Sequence, residues 1–171
     1  YTTLCRSNMK KITTPISDDE IASLKVGDQI LISGTMYTGR DAILPKLAEL
    51  ANEKKSPVDL KGMAIMHTAV SDAGIAPTTS NKEEIESTIP DLSKNGVKIH
   101  IGKGKLSKKT ADSLNKNNSI FVVTPPVAAL LTDKVLEKKC VAFENEGIEA
   151  MFQLKVENIP GIVAIANGKS I

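Results

Sequence analysis

Three short segments of this chain combine cationic and hydroxyl side chains next to predicted strands. They are residues 34–41 (GTMYTGRD), 77–82 (PTTSNK) and 102–104 (GKG). Together they supply one guanidinium, two adjacent threonine hydroxyls and two ammonium groups, from Arg40, Thr78, Thr79, Lys82 and Lys103. A small dicarboxylate needs a separate cation at each of its two negative ends. The set therefore predicts a dicarboxylate site in which a hydroxyl works between cationic clamps.

The composition argues against several other classes of function. The 171 residues are 41% hydrophobic, enough to bury one sizeable core. The net charge is only +2, and lysines alternate with acids, so no basic patch for nucleic acid or a membrane surface is predicted. Aromatic residues make up 3% of the chain, too few for a base-stacking platform. No apolar stretch approaches the roughly 20 residues of a membrane span, and we expect a soluble, cytoplasmic protein.

The two cysteines predict neither a disulfide nor a metal site. Cys5 and Cys140 lie far apart in sequence and lack the close Cys or His spacing of metal ligands. Cys140 precedes the apolar residues Val141, Ala142 and Phe143. This context predicts a buried, structural thiol.

The hydrophobic pattern predicts an α/β domain with a mixed sheet. Short apolar runs predict strands at residues 29–33, 62–67, 97–101, 119–124, 141–144, 153–156 and 162–166. Helices are predicted after Ser17, over 41–53, over 81–87 with a stop near Pro90, from Ser107 to about 115, and over 127–131. Residues 1–11 are interpreted as a tail, and 12–171 as a single domain.

The two histidines carry a weaker signal. His67 ends a predicted strand, which makes it a candidate for facing the cleft. His100 alternates with Val97, Ile99 and Ile101, and we expect it to face solvent or a polar pocket.

From about residue 12 to 171 the chain resembles the β subunit, or C-terminal domain, of class I fumarate hydratases and L(+)-tartrate dehydratases. The resemblance rests on the order and spacing of several segments. These are LKVGDQILISGTMYTGRD (24–41), APTTS (76–80), IGKG (101–104), AALL (128–131), VAFENEGIEAMFQLKVENIPGIVAI (141–165) and the terminal NGKSI. Each segment is weak alone, and their combination over one short chain is specific.

The resemblance implies a fold, a partner and a reaction. The family fold is a swivelling β/β/α domain with a mixed sheet and flanking helices. A partner α subunit holds a 4Fe–4S cluster on three cysteines, and the active site forms between the two subunits, in a homodimer or heterotetramer. The reaction is the reversible hydration of fumarate to (S)-malate, or the analogous dehydration of tartrate. This chain itself is expected to bind no metal.

The resemblance also implies roles for individual residues. Arg40 matches the arginine that binds a substrate carboxylate. Thr78 matches the group that exchanges the C3 proton, and Thr79 matches a substrate contact. Lys103 matches the lysine of the GKG segment and is the natural partner of the Thr78 hydroxyl. From the residues alone, Arg40 could equally be a surface arginine paired with an acid, and the Thr-Thr pair could simply be a turn that caps the next helix.

The chain departs from the family pattern in ways that keep the substrate open. Lys82 stands where the family has an arginine, so a cation is retained and the bidentate fork is lost. Pro125-Pro126 replaces a usual Gly-Gly pair. Three hypotheses follow: a fumarate hydratase β subunit, a subunit acting on tartrate or another hydroxy-dicarboxylate, and a non-catalytic structural or regulatory subunit that binds a dicarboxylate.

Overall fold

The computed structural model describes residues 9–71, 74–75, 82–124 and 131–170. The strands in these ranges are β1 (Lys10–Thr14), β2 (Gln29–Thr38), β3 (Ala64–Met66), β4 (Val70–Ser71), β5 (Gly74–Ile75), β6 (Ile99–Gly102), β7 (Ile120–Val123), β8 (Val135–Ala142), β9 (Met151–Ala166) and β10 (Lys169–Ser170). The α-helices are α1 (Asp18–Ala22), α2 (Leu44–Asn52), α3 (Lys82–Lys94) and α4 (Lys108–Lys116). A short 3-10 segment, Glu144–Glu149, joins β8 to β9.

Five of the strands close into a barrel. β2, β3, β6 and β7 run parallel in that order, and β9 closes the ring because it pairs antiparallel with both β7 and β2. Ile162 of β9 marks the closure, since it pairs with Val123 on one side and with Gln29 on the other. β1 lies parallel to β2, while β8 and β10 pair with β9. The mixed α/β class predicted from sequence is confirmed.

Strand alternation separates two layers of core. One face of each barrel strand contributes to a large aliphatic cluster whose buried members include Ile30, Ile32, Met36, Ala64, Met66, Ile99, Ile101, Val122, Leu154 and Val163. The opposite faces carry Tyr37, Ile65 and Phe121, which pack against α2, α3 and α4. Helices α2, α3 and α4 therefore cover the outer face of β2, β3, β6 and β7. The candidate site residues lie at one end of this helical layer.

The predicted helix starts are confirmed by their caps. The Ser17 hydroxyl accepts a hydrogen bond from the Glu20 amide (3.2 Å), and the Ser107 hydroxyl accepts one from the Thr110 amide (3.2 Å). Helix α2 begins at Leu44, immediately before Pro45, where the fixed φ of proline suits the first turn. Among the described residues, no helix is long and apolar enough to cross a membrane.

Several expectations about secondary structure are wrong. β2 continues to Thr38, beyond the predicted 29–33, and β8 covers Val135–Ala142 in place of the strand predicted at 141–144. α3 does not stop near Pro90 but continues to Lys94. Proline removes one helical hydrogen bond there, and the burial of Ile89 and Leu92 on either side keeps the helix in place. The strands predicted at 153–156 and 162–166 are one continuous strand, β9, whose middle pairs with β2. β1 was not predicted, and it includes Lys10 and Lys11, the last two residues of the expected tail.

The prediction that Cys140 is buried is also wrong. Cys140 lies in β8 and is exposed. β8 sits outside the barrel and pairs with β9 along one edge, and residues 136–140 are exposed on both faces. Its two ends pack inward, since Val135 packs against the large aliphatic cluster and Val141 and Ala142 contact the layer under α2. The apolar run after Cys140 therefore marks the point where the chain returns to the core.

Candidate functional site

The carboxyl ends of β2, β3 and β6 lie side by side. Thr38, Met66 and Ile101 are neighbours in register across the three parallel strands. Backbone hydrogen bonds continue past the strands, from the Gly39 amide to the Met66 carbonyl (3.1 Å) and from the His67 amide to the Ile101 carbonyl (2.8 Å). Arg40, His67 and Lys103 follow directly and share one edge of the sheet. Ligands commonly bind at such an edge in α/β proteins.

A pocket at this edge brings together two of the predicted site residues. Lys82, from the first turn of α3, and Lys103, from the loop after β6, both line it. His67 and Glu86 are its other polar residues. Its walls are apolar and formed by Ile85, Ile89, Leu106 and Phe121. The two lysines are exposed whereas His67 and Phe121 are buried, so the pocket has a cationic mouth and a closed, mostly apolar base.

Glycine is required at both positions next to Lys103, for a different structural reason at each. A Cβ at Gly102 would lie 2.8 Å from Nδ1 of His67, so this position must lack a side chain for the imidazole to fit. Gly104 has φ +87°, a backbone conformation that side-chain-bearing residues rarely adopt. Its missing Cβ would lie 3.4 Å from Nζ of Lys82. The GKG sequence therefore places Lys103 beside both His67 and Lys82.

Glu86 ties α3 to the start of α4. Its Oε2 accepts hydrogen bonds from the Thr110 hydroxyl (2.7 Å) and the Ser107 amide (3.0 Å). Partial burial alone would raise the pKa of Glu86, but the hydrogen bonds from Thr110 and Ser107 outweigh it, and the pKa is lowered. The segment that carries Lys103 is thus anchored at its C-terminal end to the helix that carries Lys82.

Replacing Glu86 by alanine is expected to lower the free energy of unfolding by about 1–2 kcal/mol, because two hydrogen bonds to a carboxylate are lost at a half-buried position. Urea denaturation of the full chain measures it. Glu83→Ala is the matched control, since Glu83 is exposed on the same helix, and it is expected to change stability by less than about 0.5 kcal/mol. Equal effects of the two substitutions would contradict an anchoring role for Glu86.

Arg40 lies at the same sheet edge but outside the lysine pocket. Its Nε donates to Oε1 of Glu149 at 3.2 Å, and the two side chains are 16% and 29% exposed. Glu149 ends the 3-10 segment between β8 and β9. The structure thus contains the ion pair that sequence reasoning offered as the alternative to substrate binding. The role of Arg40 in binding a carboxylate stays a prediction.

The two histidines form a buried pair on the outer face of the sheet. Their ring centroids are 6.3 Å apart. His100 is fully buried and its Nε2 lies 2.7 Å from the Ser93 hydroxyl, so the expectation of a polar pocket is confirmed and that of solvent exposure is wrong. Burial lowers the pKa of His67 to about 4. Burial, and secondarily the neighbouring His67, lowers the pKa of His100 to about 3. Both rings are therefore neutral near pH 7.

These pKa values predict a loss of stability in mild acid. The unfolded imidazoles take up protons near pH 6.5, whereas the folded ones do so only near 4 and 3. Between these values the unfolded state binds more protons, so the free energy of unfolding falls as the pH falls from about 6.5. The double variant His67→Gln, His100→Gln is expected to show a shallower decline between pH 7.5 and 5 in urea denaturation. An identical slope in the double variant and the parent would rule out the histidines as its source.

Comparison with known proteins decides the family. A family model described as the fumarase C-terminus matches residues 4–171. The chain belongs to the fumarase C-terminus family. The suspected resemblance is therefore confirmed at the level of the family.

Relatives within the fumarase C-terminus family carry names of two activities. A Geobacillus stearothermophilus protein provisionally named fumarate hydratase class I is 32% identical, over 94% of this chain and 33% of that protein. Fumarate hydratase 2 of Leishmania major is 25% identical, over 85% of this chain and 27% of that protein. The L(+)-tartrate dehydratase subunit beta of Escherichia coli K12 is 34% identical, over 76% of this chain and 68% of that subunit. The chain spans about a third of the length of the first two relatives.

The 4Fe–4S cluster that the resemblance implies for a partner subunit stays a prediction, and the described residues of this chain do not offer it a ligand set. Within the ranges that the structure describes, no group of three or more His, Cys, Asp or Glu side chains is placed to hold a metal ion. Cys140 is exposed on β8, on a strand outside the barrel.

Thr78 and Thr79 lie outside the described residues, and their assignments stay predictions. Among the described residues, sequence reasoning missed two acids of the site, Glu86 and Glu149. Glu86 lies one helical turn after Lys82 in α3, which is a local signal that a helical projection could have found. Glu149 contacts Arg40 from 109 residues away, and no local pattern could have indicated that pair.

Proposed function

We propose that this chain is the β-type part of a class I hydro-lyase that interconverts fumarate and (S)-malate. The observation that supports it best is the convergence of Lys82 and Lys103 on one pocket at the sheet edge that also carries Arg40. Family membership supplies the reaction class. A partner α subunit is proposed to complete the site and to carry the 4Fe–4S cluster, as a heterotetramer or as part of a dimer.

The cations suit the electronic demand of such a reaction. When malate loses water, the C–H bond at C3 breaks, its electron pair forms the C2=C3 bond, and the hydroxyl leaves C2. Charge that develops at C3 spreads onto the adjacent carboxylate, so cations beside that carboxylate stabilise the transition state more than the bound substrate. In this proposal Lys103 and Lys82 bind one carboxylate, Arg40 binds the other, and Thr78 moves the C3 proton.

Tartrate is the second candidate substrate. The chain is 34% identical to the E. coli tartrate dehydratase beta subunit and covers 68% of that subunit, whereas it covers only a third or less of the two fumarate hydratases. Similarity to the tartrate dehydratase subunit therefore supports tartrate as well as the fumarate hydratase relatives support fumarate. Specificity constants on fumarate, malate and tartrate, measured on one preparation, separate the two substrates.

The first test is anaerobic activity of this chain co-expressed with its genomic neighbour, compared with each subunit alone. Loss of the ultraviolet absorbance of fumarate is the readout. Activity only in the pair supports the shared site. A stable pair that turns over none of fumarate, malate and tartrate would favour the non-catalytic, dicarboxylate-binding alternative.

Arg40→Ala is expected to raise KM by about 10- to 100-fold, because one charge-assisted contact to a substrate carboxylate is lost. Arg40→Lys is expected to recover part of it, because the charge is kept and the fork is lost. Lys46→Ala is the control: Lys46 pairs with Glu146 of the same 3-10 segment at 3.0 Å but projects from the exposed face of α2. Equal KM values for Arg40→Ala and Lys46→Ala would leave Arg40 with only its structural contact to Glu149.

A further inference from the structure

His67 is a buried polar side chain whose hydrogen bonding is incomplete. It is 6% exposed, and its Nε2 has no hydrogen-bond partner among the described residues. Leaving such an atom unpaired in the folded protein is energetically unfavourable. His100 also has an unpartnered nitrogen, Nδ1, but its Nε2 meets the Ser93 hydroxyl at 2.7 Å and its ring does not line the pocket. The unpaired Nε2 of His67 belongs to a residue of the lysine pocket and therefore calls for a functional explanation.

The surroundings of His67 hold its ring at the buried end of the lysine pocket. Its ring packs near Phe121, with the ring centroids 6.4 Å apart, and near His100. Gly102 makes room for Nδ1, as described above. Phe121 and His67 both line the pocket whose mouth carries Lys82 and Lys103. A ligand that enters between the two ammonium groups therefore approaches the imidazole.

The charge state of His67 suits hydrogen bonding rather than ion pairing. Burial lowers its pKa to about 4, so the ring is neutral near pH 7. A neutral imidazole carries one N–H donor. In the Nε2–H tautomer the ring can donate to a carboxylate without the cost of a buried charge.

We propose that His67 is a further substrate-binding residue, whose Nε2–H donates a hydrogen bond to the carboxylate that Lys82 and Lys103 bind. This assignment rests on the proposed function for the identity of the ligand, a small dicarboxylate. It explains three observations together: the unpaired nitrogen, the absence of a side chain at Gly102, and the position of the ring in the cationic pocket.

Three substitutions of His67 in the complex with the α subunit test this. Gln places an amide nitrogen near the position of Nε2, Asn reaches only the position of Nδ1, and Phe keeps the ring without a donor. His67→Phe and His67→Asn are expected to lower kcat/KM by about 10-fold or more, mainly through KM. His67→Gln is expected to retain most of the parent value. His100→Gln, which keeps a partner for Ser93 and lies outside the pocket, is expected to leave KM unchanged.

Titration calorimetry with succinate gives a readout that does not depend on turnover. Succinate has two carboxylates but neither a double bond nor a hydroxyl, so the complex cannot hydrate or dehydrate it. We expect His67→Phe and His67→Asn to weaken succinate binding about 10-fold, with His67→Gln close to the parent. If the parent turns over none of the three substrates but shows this binding pattern, the hydro-lyase proposal fails and the role of His67 stands. Equal succinate affinity in all four proteins, or no succinate binding by the parent, overturns the role of His67.

Discussion

Replacing Lys103 by methionine is expected to lower kcat by about 10²- to 10³-fold in the complex with the α subunit. Methionine has a similar length and no charge, so the substitution removes the ammonium and preserves most of the packing. Removing one group that stabilises developing charge typically has an effect of this size. Lys103 lies between Gly102 and Gly104 in the loop next to His67, and it lines the same pocket as Lys82. The effect should fall on kcat more than on KM, because the added charge arises in the transition state.

Two variants calibrate this result. Lys105→Met changes an exposed lysine of the same loop that lies outside the pocket of His67 and Lys82, and we expect parent activity. Lys82→Met should raise KM by about 10-fold with a smaller effect on kcat, because Lys82 is exposed at the mouth and acts as a clamp. If Lys103→Met retains kcat within about threefold while Lys82→Met loses it, the roles of the two lysines are reversed.

The sequence allowed the site edge to be predicted because the signal is local. β3 and β6 are short, mostly apolar runs followed at once by His67 and Lys103, whereas β2 continues to Thr38, beyond the strand predicted at 29–33. The carboxyl ends of parallel strands meet at one edge. The start of α4 at Ser107 was equally predictable, since a serine before a helical pattern is a strong N-cap signal. Where a few adjacent residues determine the outcome, the predictions agree with the structure.

The sequence could not predict features that depend on distant pairing. β9 was predicted as two strands because Asn158 and Pro160 interrupt its apolar pattern, yet its centre is held by pairing with β2. Closure of the barrel needs β9 to meet β2 and β7, which lie about 120 and about 40 residues earlier in the chain. The exposure of Cys140 is equally non-local, because it depends on whether distant parts of the chain cover residues 136–140 of β8, and in the described part these residues stay exposed.

Two interpretations of Arg40 were open from the sequence, namely binding of a substrate carboxylate and an ion pair with an acid of the protein. Its place after β2, beside the ends of β3 and β6, matches the substrate-binding interpretation, and its ion pair with Glu149 matches the structural one. Sequence alone offered these as alternatives. The ion pair with Glu149 is present in the structure, whereas substrate binding by Arg40 stays a prediction.

Thr78→Ala is expected to lower turnover by about 10²- to 10⁴-fold, the usual contribution of a group that moves a proton in the transition state. Thr78 lies outside the described residues, and its role rests on the family resemblance. A free threonine hydroxyl is a weak base and needs a neighbour that lowers its pKa or accepts its proton. Lys103 is the candidate, because it lines the pocket together with Lys82, four residues after Thr78 in sequence.

Exchange of deuterium from solvent into C3 of malate isolates the proton step from loss of the hydroxyl. Thr78→Ala should lose this exchange, Thr78→Ser should recover part of it because the hydroxyl returns, and Thr79→Ala should keep it with a raised KM. Co-elution with the α subunit checks that assembly is intact in every variant. Near-normal exchange in Thr78→Ala would assign the C3 proton to another group. Lys103 would then be the first to test, since it lines the pocket together with Lys82.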